Sequence, residues 1–311
     1  MKAKEVGGLL LLSALWGGSF LFIRIAAPVL GPVVLIELRV LIAGVALLLY
    51  SLVIRQDLEL RKRWSHYLAI GILNSALPFT LIATAELHLT AGFAAILNAT
   101  SPLFGAIVAA LWIKEALTTK KIVGLLLGLA GVGVLVGWSP LPFSTTLVLA
   151  ILASLAGAAF YGLAGVYTKV YTRGASSVAI ATCSQLGASL FLLPLTPLFP
   201  APHQPSTFVI LVVAALALFC TAIGYLIYFW LIETVGPTRA ITVTFLAPAF
   251  GVLWGVLLLH ELLTWSTIVG FAIILAGTGF VTGIRLGKRT RISNDPKDPP
   301  RGADFIARRP V

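Results

Sequence analysis

Residues 102–124 read PLFGAIVAALWIKEALTTKKIVG, and residues 248–270 read PAFGVLWGVLLLHELLTWSTIVG, the same pattern 146 positions later. Pro102, Phe104 and Gly105 fall on Pro248, Phe250 and Gly251, and Glu115, Leu117, Thr118, Ile122, Val123 and Gly124 fall on Glu261, Leu263, Thr264, Ile268, Val269 and Gly270. Working outward, residues 87–137 lie on 233–283 without a gap, and Leu129, Ala130, Gly131, Gly133 and Gly137 meet Leu275, Ala276, Gly277, Gly279 and Gly283. A slightly smaller offset sets Trp16, Gly17 and Arg24 on Tyr161, Gly162 and Lys169. Such self-similarity marks a chain built from two related units. Each copy is an apolar run, a short polar joint holding one glutamate, and a glycine-rich apolar run.

The material between these copies decides the solvent. Of 311 residues 59% are hydrophobic and only 11% charged, with a mean hydropathy of +1.02. Water-soluble domains carry an apolar share just under one half, and disordered chains need far more charge. Both classes are excluded. A bilayer core takes about 20 apolar residues per helix, and breaks at Pro, Gly and charge clusters give spans near 6–27, 33–54, 67–86, 92–113, 120–138, 146–170, 177–198, 207–232, 238–259 and 265–285. The first run is too long for a signal-peptide core and lacks a convincing cleavage site. Cys183 and Cys220 sit inside apolar runs with no metal or disulfide spacing. The surplus of 22 Lys and Arg over 11 Asp and Glu is not a nucleic-acid signature, because the basic residues lie between apolar runs and in the tail.

Basic residues hold helix ends in the cytoplasm. Lys2, Lys4, Arg55, Arg61, Lys62, Arg63, Lys114, Lys120, Lys121, Lys169, Arg173, Arg239 and everything from Arg285 onward fall on one side of a ten-span chain, which puts both termini in the cytoplasm. Five spans per half make the second half enter from the opposite side. The expected fold is therefore all-α and polytopic, ten transmembrane helices as two inverted five-helix repeats, residues 1–138 and 146–285. Residues 286–311, basic and Pro-rich, are expected to form a disordered cytoplasmic tail. Inverted halves can exchange roles and open a central site to either face in turn, which is the physics of a carrier. A duplicated bundle serving only as a scaffold is the plainer alternative.

The fourth span places Ala94, Asn98, Ser101 or Pro102, Gly105 and Ala109 along one stripe, and the ninth places Ala240, Thr244, Ala247 or Pro248, Gly251 and Gly255 along another. Small residues let backbones approach where lipid supplies no hydrophobic drive. Pro102 and Pro248 near mid-span each free a carbonyl that needs a helix, a side chain or cavity water as partner. They mark either a central cavity or simple packing kinks. Trp16, Phe20, Tyr161 and Tyr225 are the aromatic candidates for such a cavity, and Asn74, Asn98, Gln185 and Thr244 the uncharged polar ones. An ionisable group within a span costs roughly 2.5–3.5 kcal/mol on insertion scales and usually faces a pathway. Arg24 and Glu37 share a depth at which they can pair. Arg39, two residues further in, then stands available for a substrate carboxylate, unless it pairs with Glu37 or backbone carbonyls. Glu86 and His88 close the third span, as gate or proton-carrying groups or as solvated loop residues.

Trp16-Gly17-Gly18-Ser19-Phe20 with Arg24, Arg39 in the second span, the Pro102 region ending in Lys114-Glu115, and the glycine-rich fifth span of each half resemble the EamA family of the drug/metabolite transporter superfamily. The likeness covers residues 6 to about 285. It implies ten spans in two inverted repeats and a place in the bacterial inner membrane, where many members move amino acids, related metabolites or toxic compounds. The chain departs from the pattern where Gln185 stands opposite Arg39 and Tyr161 opposite Trp16, so the role of Arg39 is not symmetric. The expectation is a secondary transporter of a small organic solute, with export the favoured direction; a passive channel or lipid-handling protein of the same fold is the alternative. His66, His88, His203 and His260 are scattered, which argues against an enzyme or a metal site, and no phosphate loop or other cofactor motif occurs. The expected partners are a small-molecule substrate and the lipid bilayer; a monomer is compatible with all of this.

Overall fold

A chain in hydrocarbon must satisfy its backbone hydrogen bonds within each segment, so long apolar runs fold as helices. The computed structural model describes residues 1–138 and 144–283, and their regular structure is entirely helical. Among them nine helical segments are long and apolar enough to cross a membrane. They are Ala3–Leu30, Pro32–Val53, Leu60–Glu86, Ala91–Trp112, Thr119–Gly137, Thr145–Tyr171, Ser177–Leu198, Thr207–Val235 and Trp265–Thr282. A shorter apolar helix, Val243–Leu259, lies between the last two. The expected tail at 286–311 lies outside the described residues.

Hydroxyl side chains set the helix starts. Thr90, Thr118, Ser144, Ser206 and Thr264 accept from the backbone N–H three residues on, which satisfies a donor that has no partner within the helix. Where the chain reverses in one residue, Gly31 takes a φ of 73° that a side chain would resist, and Pro32 opens the next helix.

Connections gather at two ends of the bundle. At one end His66 Nδ1 and Tyr167 Oη are 2.9 Å apart, and Glu115 meets Lys121 and Lys169. At the other end the His203 N–H donates to the Val29 carbonyl at 3.0 Å, and the Glu261 carboxylate meets the backbone of Ala91 and Gly92. The first helix finishes at this second end, so the amino terminus lies at the first. Small residues carry the closest crossings: a Cβ on Gly162 would lie 2.5 Å from the Gly105 nitrogen. One core knits the first three helices to the seventh and eighth segments through Ile23, Leu35, Ile36, Val40, Phe79 and Leu216.

Four irregularities interrupt the helices around the centre. π-helical turns occupy Ile72–Ala76 and Leu216–Ile223, and breaks fall at 99–100 and 241–242. Pro102 is not a mid-helix kink, as the sequence implies, but stands in the first turn of a new helix, Ser101–Trp112, where its missing N–H costs nothing. Pro248 lies inside an unbroken helix, so the two prolines do not make matching bends. Hydroxyls supply the carbonyl partners at the first break: Thr100 donates to Leu97 at 2.6 Å, Ser101 to Asn98 at 2.6 Å, and Thr278 from the last helix to Ala99 at 3.0 Å.

Candidate functional site

The irregular turns enclose a cavity of about 600 Å³, within the range of small-molecule pockets. Trp16, Phe20, Arg39, Asn74, Asn98, Pro102, Tyr161, Tyr225, Thr244 and Pro248 line it. The lining reaches Ile113, Thr168 and Lys169 at the amino-terminal end of the bundle and, among the described residues, includes none from the connections at the opposite end.

Aromatic rings form most of the wall. Trp16 lies 6.4 Å from Tyr225 in an edge arrangement and 5.2 Å from Tyr228, and Tyr225 stacks on Phe229 at 5.9 Å. Asn74, raised into the cavity by the first π turn, donates from Nδ2 to Tyr225 Oη at 3.0 Å. Gln185 is turned away from the expected position: it is fully buried outside the lining and donates from Nε2 to Ser75 at 2.8 Å. Its helix packs against the π turn of the third segment, and that contact takes the amide.

Arg39 is the electrostatic centre. Its guanidinium carbon sits 3.7 Å above the Phe79 ring centroid, and its Nε donates to Thr221 Oγ1 at 3.0 Å. Thr221 in turn donates to the Leu216 carbonyl five residues back, across the second π turn. Among the described residues the two terminal nitrogens of Arg39 have no hydrogen-bond partner, and no Asp or Glu lines the cavity. Among the described residues this buried cation is held by an aromatic face and one hydroxyl, and no carboxylate lies within ion-pair distance of it.

The ionisable groups near the far end differ from expectation. Arg24 does not pair with Glu37; its guanidinium donates to the backbone carbonyl of Glu86, and Glu37 Oε1 accepts from Ser189 at 2.6 Å. The first helix presents Arg24 toward the end of the third segment, while Glu37 faces the seventh. Glu86 is no solvated loop residue but fully buried, with both carboxyl oxygens unpartnered among the described residues. His88 is exposed. At the amino-terminal end, a hydrogen bond from Lys121 together with its charge and that of Lys169 holds the Glu115 carboxyl below the usual glutamate range. Among the described residues no three of His, Cys, Asp and Glu gather to hold a metal ion.

Phe79, Thr221, Tyr228 and Phe229 join the cavity without a sequence signal that marks them. Thr221 depends on a π turn that apolar periodicity does not reveal. Phe79 is one apolar residue among many in its span.

The uncharacterized transporter YvbV of Bacillus subtilis is 27% identical over 265 residues, spanning 84% of this chain and 86% of the relative. The uncharacterized inner membrane transporter YedA of Escherichia coli K12 is 29% identical over 284 residues, spanning 88% and 90%. A crystal structure at 20% identity shares the fold with a TM-score of 0.64, covering 91% of this chain and 97% of that one. The model of the EamA-like transporter family matches twice, over residues 4–137 and 148–283. With both matches together spanning most of its length, the chain belongs to the EamA-like transporter family, a multi-pass membrane transporter.

Proposed function

We propose that the protein is a secondary transporter of a small organic solute bearing an anionic group, an amino acid or related metabolite or a toxic compound, and that it works by alternating access. The two family matches correspond to inverted five-helix repeats at 1–138 and 146–285, with the cavity between them. Both termini are cytoplasmic and export is the direction of net movement. The observation that carries the reading is the guanidinium of Arg39, which among the described residues has no carboxylate beside it in the cavity lining and faces a cavity that reaches the amino-terminal end of the bundle. A cation buried without a counter-ion is stabilised by an incoming anion, and the aromatic wall suits an apolar body. Trp16, Phe20, Asn74, Asn98, Tyr161, Tyr225 and Thr244 contact the solute. Pro102 and Pro248 shape the cavity, Gln185 supports it from behind, and Arg24, Glu37, Glu86 and His88 stabilise the closed end.

The segregation of basic residues supports the orientation, since Lys121 and Lys169 meet Glu115 at the end of the bundle where the amino terminus lies. The test is flux in liposomes across a panel of radiolabelled carboxylates, amino acids and neutral analogues. Saturable uptake, stimulated by substrate on the opposite side, is expected; flux that rises linearly with concentration points to a channel and overturns the proposal. Cysteines introduced at positions 120 and 203 are expected to be labelled from opposite compartments, and labelling from the same one ends the inverted-repeat assignment.

A further inference from the structure

Glu115 and Glu261 occupy the same place in the repeated string, and the chain presents them identically. Each follows a residue in the left-handed region, Lys114 with φ 56° and His260 with φ 54°. Each donates its N–H six residues back, Glu115 to Ala109 at 3.1 Å and Glu261 to Gly255 at 3.0 Å. What the two carboxylates do differs. Glu261 Oε1 accepts from the Ala91 N–H at 2.7 Å and Oε2 from the Gly92 N–H at 3.0 Å. It thereby ties the joint after Val243–Leu259 to the start of Ala91–Trp112, at the end that the cavity lining does not reach among the described residues. A Cβ on Gly92 would lie 3.2 Å from Oε2, and one on Gly255 would strike the same oxygen, so both glycines leave room for the carboxylate. Glu115 stands at the open end, bound by Lys121 at 2.6 Å and Lys169 at 3.7 Å, and Lys169 itself lines the cavity mouth.

From this contrast we infer that Glu261 and Glu115 are positioning residues that latch the two ends of the transporter in alternation, an inference that rests on the alternating-access reading above. The offset of 146 carries Ala91 and Gly92 onto Pro237 and Thr238. In the state open to the opposite end, Glu261 releases the backbone of Ala91 and Gly92, while Glu115 leaves Lys121 and Lys169 and takes the Thr238 N–H in the short helix Pro237–Ala240 that precedes Val243–Leu259. Proline has no N–H. The second latch therefore has one charge-assisted bond where the first has two, and Glu115 must give up two lysines to form it. The state open at the amino-terminal end is the resting one, favoured by roughly 10-fold or more, the worth of one hydrogen bond to a charged group.

The experiment uses full-length protein in liposomes with Cys183 and Cys220 replaced by Ser and a single reporter, Ser101→Cys, in the cavity wall. A membrane-impermeant maleimide is applied from either side, with and without an amino acid that the liposome flux panel shows to be carried. In the parent, labelling is expected mainly from the amino-terminal side, with substrate raising labelling from the far side. Glu261→Gln is expected to raise far-side labelling about 10-fold without substrate, and Glu261→Asp to restore most of the parent's preference. Far-side labelling of Glu261→Gln that stays at the parent's level, or Glu261→Asp behaving as Glu261→Gln, overturns the latch. A parent whose reporter is never labelled from the far side under any condition defeats the alternating-access reading instead, and the latch with it.

Discussion

Replacing Arg39 by Gln separates a substrate anchor from a structural cation by the sign of two responses. In the structure the guanidinium spends Nε on Thr221 and its face on Phe79, leaving two terminal nitrogens for the cavity. Two charge-assisted hydrogen bonds to an anion, at about 1.5 kcal/mol each, amount to about 3 kcal/mol, or roughly 100-fold in affinity. The folded protein feels the change differently. Removing a cation from mid-membrane recovers roughly 2.5–3.5 kcal/mol. Against this stand the lost cation–π contact, about 0.5–2 kcal/mol, and the lost bond to Thr221, about 1.5–3 kcal/mol. These nearly cancel, so Tm is expected to shift by only about 5 °C in either direction. The assay pairs a thermal-shift titration with counterflow in liposomes, comparing a carboxylate solute with its neutral amide. Expected is a roughly 100-fold loss for the carboxylate, little change for the amide, and a nearly unchanged Tm. Equal losses for both ligands, or a Tm that collapses, would show that Arg39 holds the helices together rather than the solute.

Three further perturbations probe the packing and the charged joint. A Cβ on Gly17 would sit 2.5 Å from the Ala247 carbonyl oxygen and 2.7 Å from the Gly251 nitrogen, whereas one on Gly7 meets nothing within 4 Å; Gly17→Ala is expected to lower Tm by several degrees, from about 1–3 kcal/mol of overpacking, and Gly7→Ala to leave it unchanged or slightly raised. Thr278→Val strips the Ala99 carbonyl of its donor at the helix break, an expected loss of about 1–3 kcal/mol, while Thr282→Val, which removes only bonds within its own helix, is expected to change Tm little. Because Lys121 and Lys169 depress the Glu115 carboxyl in the folded state, its contribution is complete at neutral pH and is lost as pH falls below the ordinary glutamate value of 4.5. Tm recorded against pH is expected to converge for the parent and Glu115→Gln in acid and to separate above it, by a small margin since the carboxylate is 44% exposed; a constant separation across the range would refute the linkage.

Depth along each helix was legible in the sequence, and rotation about its axis was not. The thickness of the bilayer fixes how many apolar residues a crossing needs, so the spans near 6–27 or 146–170 emerge within a few residues of Ala3–Leu30 and Thr145–Tyr171. Depth also placed Trp16, Asn98 and Tyr225 at the level of the cavity. Which way a side chain points depends on an amphipathic stripe, and a helix in contact with lipid and with other apolar helices shows little of one. Arg24 and Glu37 were therefore matched by depth and proved to face different neighbours. Gln185 was set opposite Arg39 by the repeat and yet turns its amide to Ser75.

The two π turns show why the repeat itself is an incomplete guide. They fall in the third and the eighth segments, at corresponding places in the two halves, so the duplicated plan preserves a local distortion that no apolar periodicity encodes. Each adds a residue to one turn and so rotates the remainder of its helix. In the third segment that rotation brings Asn74 to the Tyr225 hydroxyl, and in the eighth it sets Thr221 under the guanidinium of Arg39. Shared backbone irregularity with unlike side chains is how an internally doubled chain builds an asymmetric site: one half supplies the charge from its second helix, and the other supplies the hydroxyl that orients it. Unwound or widened helix turns can survive in hydrocarbon only beside a partner or a cavity. Here they have both, which ties the position of the cavity to the same distortions that furnish its polar groups.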